Sequence, residues 1–132
     1  MKFRTSLLAA LAGLATIAAS TGAYAGAADY AFEPVRIDVK NGAGSELAVK
    51  LVHKPTGRAV PGAVLFPTRL DMAPDNMAGM TAKHEATPSL EPGVYSFKAD
   101  LTMAGGWAFR IMAKVPGEAE TVQGAVVFKA KD

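Results

Sequence analysis

The chain has no cysteine, one tryptophan and only two histidines in 132 residues. Without thiols it has no disulfide framework, no thiolate metal site and no nucleophilic or redox cysteine. Two histidines cannot form a three-histidine zinc centre. There is no phosphate-binding loop and no dinucleotide glycine pattern. Ser89 and Ser96 lie near no His/Asp pair. Glu85 and Glu91 share one loop-like stretch, and two loop carboxylates specify no acid–base pair by themselves. These absences argue against an enzyme and against an organic cofactor.

An excess of charge of one sign is also missing. Residues 1–25 read as a cleaved signal peptide of bacterial character: Lys2 and Arg4 lead, Leu7 to Ala19 is apolar, and Ala23-Tyr24-Ala25 fits a cleavage site. Removing them leaves 107 residues from Gly26, with twelve basic against twelve acidic side chains. That balance speaks against nucleic acid or an anionic membrane as partner. No later run is apolar enough to span a bilayer, and with no cysteine there is no lipoprotein anchor. The expected location is the periplasm, with secretion as the alternative.

What is present is a succession of short alternating runs with turn residues between them and no helical period. Residues 26–34 read as a flexible lead-in, and 35–130 as one domain. Val35 to Val39 alternates. Leu47, Val49 and Leu51 share one face, as do Tyr95, Phe97 and Leu101, and Trp107, Phe109, Ile111 and Val115. Val64, Phe66, Leu70 and Met72 share another parity. Pro- and Gly-containing turns separate these runs, and a last strand is expected at about 120–129. The pattern predicts an all-β fold, an immunoglobulin-like antiparallel β-sandwich of about seven strands.

The distinctive residue is methionine. Of the five after the signal peptide, Met72, Met77 and Met80 lie in a short polar stretch that also holds His84, and Met103 follows. If the Leu47 strand runs up, the strand ending at Met72 runs down. A short strand near Thr81 to Ala86 then climbs back, and the Tyr95 strand descends to Met103. All four methionines thereby fall at one end. Soft thioethers with an imidazole, in a chain without thiolates, suit Cu(I) or Ag(I). Met72 and Met103 carry core parity, so each is read equally as a ligand or as a plug filling the end of the sandwich. Met77 and Met80 are read as ligands or partner contacts. His84 joins them by proximity, whereas His53 is expected at the opposite end in a structural or solvated role. Met112 carries outward parity, and Asp71 and Asp75 are read as turn-forming side chains.

Three features give the chain a family resemblance. They are Gly57-Arg58-Ala59-Val60-Pro61-Gly62-Ala63, the methionine stretch after Met72, and Gly93-x-Tyr95 followed by Met103-Ala104-Gly105-Gly106-Trp107. In these the chain resembles the YtkA-like/FixH-like family of small exported domains, over about Val35 to Lys129. The resemblance implies copper or heavy-metal handling, with Met72, Met77, Met80 and Met103 on the family's methionine positions. The function expected is therefore Cu(I) binding or delivery, linked to a heavy-metal efflux or oxidase-assembly partner. The alternative is a metal-free accessory module that uses the methionine loop as its contact surface.

Overall fold

The computed structural model describes residues 27–132, so the expected signal peptide at 1–25 lies outside the described residues. The strands are β1 (Tyr30–Pro34), β2 (Asp38–Lys40), β3 (Gly42–His53), β4 (Arg58–Ala59), β5 (Val64–Met72), β6 (Met77–Thr81), β7 (His84–Thr87), β8 (Val94–Leu101), β9 (Gly105–Lys114) and β10 (Val122–Lys131). One sheet has the order β1-β3-β8-β7, with β4 also on β3. The other has the order β2-β10-β9-β5-β6. The fold is the all-β sandwich the alternation calls for, with ten strands in place of about seven. Three of the strands are only two to four residues long, too short for a hydrophobic period to show.

The core lies between the sheets. Leu47, Val49, Phe97 and Leu101 of the first sheet meet Leu70, Trp107, Phe109 and Phe128 of the second. Phe97 and Phe109 pack edge to face with centroids 5.0 Å apart. Side chains of this size, fully buried, each contribute about 1.5–3 kcal/mol.

Three local expectations are corrected. Residues 27–34 are not a loose lead-in: Ala27–Asp29 makes a 3-10 turn, and β1 pairs antiparallel with β3 from Tyr30 opposite His53 to Pro34 opposite Val49. Glu118 accepts a hydrogen bond from the Tyr30 hydroxyl at 2.7 Å, and Glu120 accepts one from the Ala27 amide at 3.0 Å. Burial and the neighbouring Glu118 push the Tyr30 hydroxyl up to about 12. Val35 to Val39 is not one strand. The chain crosses from the first sheet to the second there, leaving Val35 and Ile37 exposed, and β2 pairs parallel with β10. Finally, Val64 and Phe66 face solvent while Leu70 and Met72 are buried. The register on β9 shifts between Pro67 and Arg69, and one extra residue reverses which face a strand presents.

Two of the sequence motifs interlock at the end where β3 runs into β4. Gly93 adopts φ +82°, and a Cβ there would sit 2.4 Å from that of Ala59. The Tyr95 hydroxyl donates to the Val60 carbonyl at 2.7 Å and accepts from the Ala63 amide at 3.0 Å. The glycine allows the close approach, and the tyrosine fixes the connection between β4 and β5.

Candidate metal centre

β5 and β8 both run down and end at Met72 and Leu101, while β6 and β7 climb between them, one in each sheet. The methionines therefore reach one end of the sandwich, as the strand directions expected from the sequence require. Their environments differ. Met72 is 0% exposed and belongs to the core. Met77 is half-buried against the same core. Met80 and Met103 are 39% and 38% exposed. Of the two readings of Met72, packing is the one its complete burial supports.

The loop carrying these side chains is fastened at several points. Ala73–Asp75 forms a 3-10 turn with Pro74 inside it, and Asn76 closes it in the left-handed conformation at φ 60°, donating its amide to the Ala73 carbonyl at 2.9 Å. Asparagine tolerates that conformation better than most residues. β6 then returns along β5. Met77 lies opposite Met72 and Thr81 opposite Asp71, so residues 78–80 are looped out and Met80 is carried into solvent. The Arg69 guanidinium donates to the Ala78 carbonyl, holding the loop from the side. Asp75 accepts the Gly106 amide at 3.1 Å, tying the loop to the turn that carries Met103. The Trp107 indole is fully buried and donates to the Met103 carbonyl at 3.1 Å from beneath. A Cβ on Gly105 would lie 2.3 Å from an Asp75 carboxylate oxygen and 2.8 Å from the Met72 methyl, so the methionine loop and the β8–β9 turn are in direct contact.

Behind the loop sits a buried carboxylate. Asp71 is 1% exposed and accepts from Arg69 Nε at 2.7 Å, Arg110 Nε at 3.1 Å and the Ala73 amide at 2.9 Å. Burial alone would raise its pKa. The hydrogen bonds from Arg110, Ala73 and Arg69 outweigh that and hold the carboxyl below its usual range. Reading Asp71 as a turn residue captures the bond to Ala73 and misses both arginines. Arg110 is 39 residues away and meets Asp71 only through the pairing of β5 with β9.

His84 lies on β7 opposite Ala99, its ring edge-on to Phe109 with centroids 5.3 Å apart. Burial pushes its pKa below the ordinary histidine value, so the neutral imidazole able to ligate a metal is favoured. Phe109 is two residues beyond Trp107 on β9, which places His84 somewhat further up the sandwich than the methionine turns. His53 is at the other end, 5.2 Å from the Tyr30 ring and 2.9 Å from the Thr56 hydroxyl. Among the described residues no group of three or more His, Cys, Asp or Glu could hold a metal ion; the side chains with donor atoms at this end are the methionines, with Asp71 and Asp75 engaged in fastening the loop.

Comparisons with known proteins give one family and distant structural likenesses. A family model described as YtkA-like matches residues 24–112. No protein of curated function matches the chain. A solved structure of the Yersinia pseudotuberculosis adhesin InvE aligns with a TM-score of 0.41 and 13% identity, covering 79% of this chain and 26% of the adhesin. The chain thus spans about a quarter of that protein. A conjugative transposon lipoprotein from Bacteroides eggerthii aligns with a TM-score of 0.35 and 15% identity, covering 76% of this chain and 96% of that one.

Proposed function

The chain belongs to the YtkA-like family, and from that premise we propose that it is an exported protein that binds and delivers a soft metal ion, Cu(I) or Ag(I). What carries the reading is the methionine end. Two exposed thioethers, Met80 and Met103, and a half-buried third, Met77, stand on a loop and a turn that are tied to each other, in a protein with no cysteine. Neutral thioethers favour Cu(I) over harder ions. They are weak enough donors to release the ion to a heavy-metal efflux or oxidase-assembly partner. His84 is the candidate fourth donor at the edge of the group. Met72 supports the turn from below. The bonds from Arg69, Asp71 and Asp75 fix the loop before any ion arrives, which lowers the ordering cost of binding.

The test is a Cu(I) titration under reducing conditions against a coloured chelator, with a Met77/Met80/Met103→Leu variant beside the native protein. The expected result is stoichiometric competition by the native protein that the variant loses. Leucine keeps bulk and apolarity while removing the sulfur, so a protein-contact role for the loop would survive the change. No competition by the native protein overturns the metal reading and leaves the contact-surface alternative. Thioethers bind without releasing protons. Affinity that holds between pH 7 and 5 therefore means methionine ligands alone, whereas a steep fall that His84→Gln removes assigns the imidazole.

A further inference from the structure

The outward positions of the second sheet can be read across its strands. Val64 lies opposite Lys114, Phe66 opposite Met112, and Met112 opposite Gln123. Arg69 lies opposite Arg110, and Arg110 opposite Ala125. Further down, Ala108 sits between Asp71 and Val127. Val64, Phe66 and Val127 are 55%, 44% and 44% exposed, on stretches of β5 and β10 that the short edge strands β6 and β2 leave uncovered. β5, β6, β9 and β10 together contain a single carboxylate, Asp71, which is shut in beneath its two arginines. The charges that reach solvent from these four strands are all positive, and the edge strand β2 adds one exposed carboxylate, Asp38, which lies opposite Lys129 and pairs with Lys131 at 3.4 Å, so cations remain in excess.

The outer face of the first sheet is its opposite. Glu33 lies across from Lys50, and Lys98 lies between Glu46 and Glu85. Paired opposite charges of this kind make a face that water solvates. A protein with balanced charge has thus placed its apolar and cationic groups on one side. Exposed Phe and Val beside a half-buried Met, with Arg and Lys in excess over acids, is the composition of a contact surface.

We propose that the outer face of the second sheet docks an acidic protein partner, a segment bearing carboxylates around an apolar centre. Phe66 and Met112 meet that centre between Lys114 and Arg110, Val127 adds apolar surface on the far side of Arg110, and Arg110, Lys114 and Lys129 meet the carboxylates. Three observations choose this occupant. A second copy placed face to face would set cations against cations. The Arg69 and Arg110 guanidinia are each a little under half exposed and held in place by Asp71, a fixed fork that matches a carboxylate. Beside Arg110 the face is indented by a groove of about 410 Å³ floored by Gly124 and Ala125, which accepts a protruding side chain and gives a flat bilayer nothing to fill it. The surface is distinct from the methionine end, and the proposal does not depend on a metal.

The test places a photo-crosslinking benzoylphenylalanine at position 66, and separately at position 85 of the opposite face, in the full chain produced in cells. The expected result is one dominant adduct from position 66 and none from position 85. The partner peptide, identified by mass spectrometry, should carry several Asp or Glu residues. Lys114→Glu together with Lys129→Gln, both clear of the Asp71 bonds and neither setting a second acid opposite Asp38, should cut the yield by at least about tenfold with the melting temperature unchanged. No adduct at 66, an adduct indifferent to these substitutions, a partner segment without acids, or an adduct to a second copy overturns the proposal. So does co-sedimentation of the protein with vesicles of 30% phosphatidylglycerol that the same two substitutions abolish, which would make the occupant an anionic bilayer.

Discussion

At the scale of the residue, Asp71 holds the most consequence. Among the described residues it is the only buried carboxylate, and its bonds reach β5, β9 and the first amide of the methionine loop. Replacing it with asparagine leaves two guanidinia competing for one neutral oxygen. The two arginines left behind are nearly half exposed and keep access to water, so Asp71→Asn should lose about 1–2 kcal/mol in chemical denaturation, the scale of a charge-assisted hydrogen bond. The pH dependence follows from the depressed pKa. The folded state holds the carboxylate more strongly than the unfolded state does. The stabilisation is therefore fully present above about pH 4, the unfolded value. It is lost as pH falls through the lower folded value. Melting temperatures measured from pH 5 downward should drop more steeply in the native protein than in Asp71→Asn. In the sequence Asp71 is visible only as a polar residue beside a turn. That it is buried and doubly paired depends on Arg110 arriving from another strand.

At the scale of the element, the methionine loop and the β8–β9 turn form one unit. Met72, Asp75 and Gly105 meet where there is no space for a side chain, and Gly105 adopts φ +137°. Gly105→Ala should therefore displace Asp75 and the Met72 methyl and cost about 2–3 kcal/mol through strain and overpacking. The loss should appear as a lower melting temperature. Faster amide exchange at Gly106, whose donor bond to Asp75 would break, should accompany it. In the sequence, glycines 105 and 106 announce a turn before Trp107, and that reading was sufficient to find the hairpin. Their contact with Asp75 was not legible, because it joins segments 30 residues apart that share no pattern. The bulge in β5 shows the opposite failure. Val64, Phe66, Leu70 and Met72 have one parity in sequence, yet the shift near Thr68 turns the first two outward and the last two inward. An alternation count has no means of detecting an inserted residue.

At the scale of the whole molecule, the sheets are built largely from strands distant in sequence. β1 joins β3, β2 joins β10, and β5 joins β9. Loop-closure entropy must be overcome before such contacts give any return, so refolding should take milliseconds to seconds, not microseconds. Trp107, the single tryptophan and completely buried, provides the fluorescence signal for a stopped-flow measurement. Burial of its indole between the sheets makes that signal a report on sandwich closure. At the same scale a net charge near zero does not describe the surface. The sum of charges says nothing of their arrangement, and β5, β9 and β10 of the second sheet have gathered apolar groups and an excess of basic ones on one face.

The sequence by itself determined the fold class, the core faces of β3, β8 and β9, and the direction of the strands that bring the methionines to one end. Period and turn chemistry are local properties, and a chain read in order displays them. Only the tertiary structure decided that Met72 is sealed in the core while Met80 and Met103 meet solvent. It alone decided that residues 30–34 are a strand and that Asp71 is a buried anchor. Each of these depends on which distant segment packs alongside, and burial and pairing exist only once two such segments are in contact.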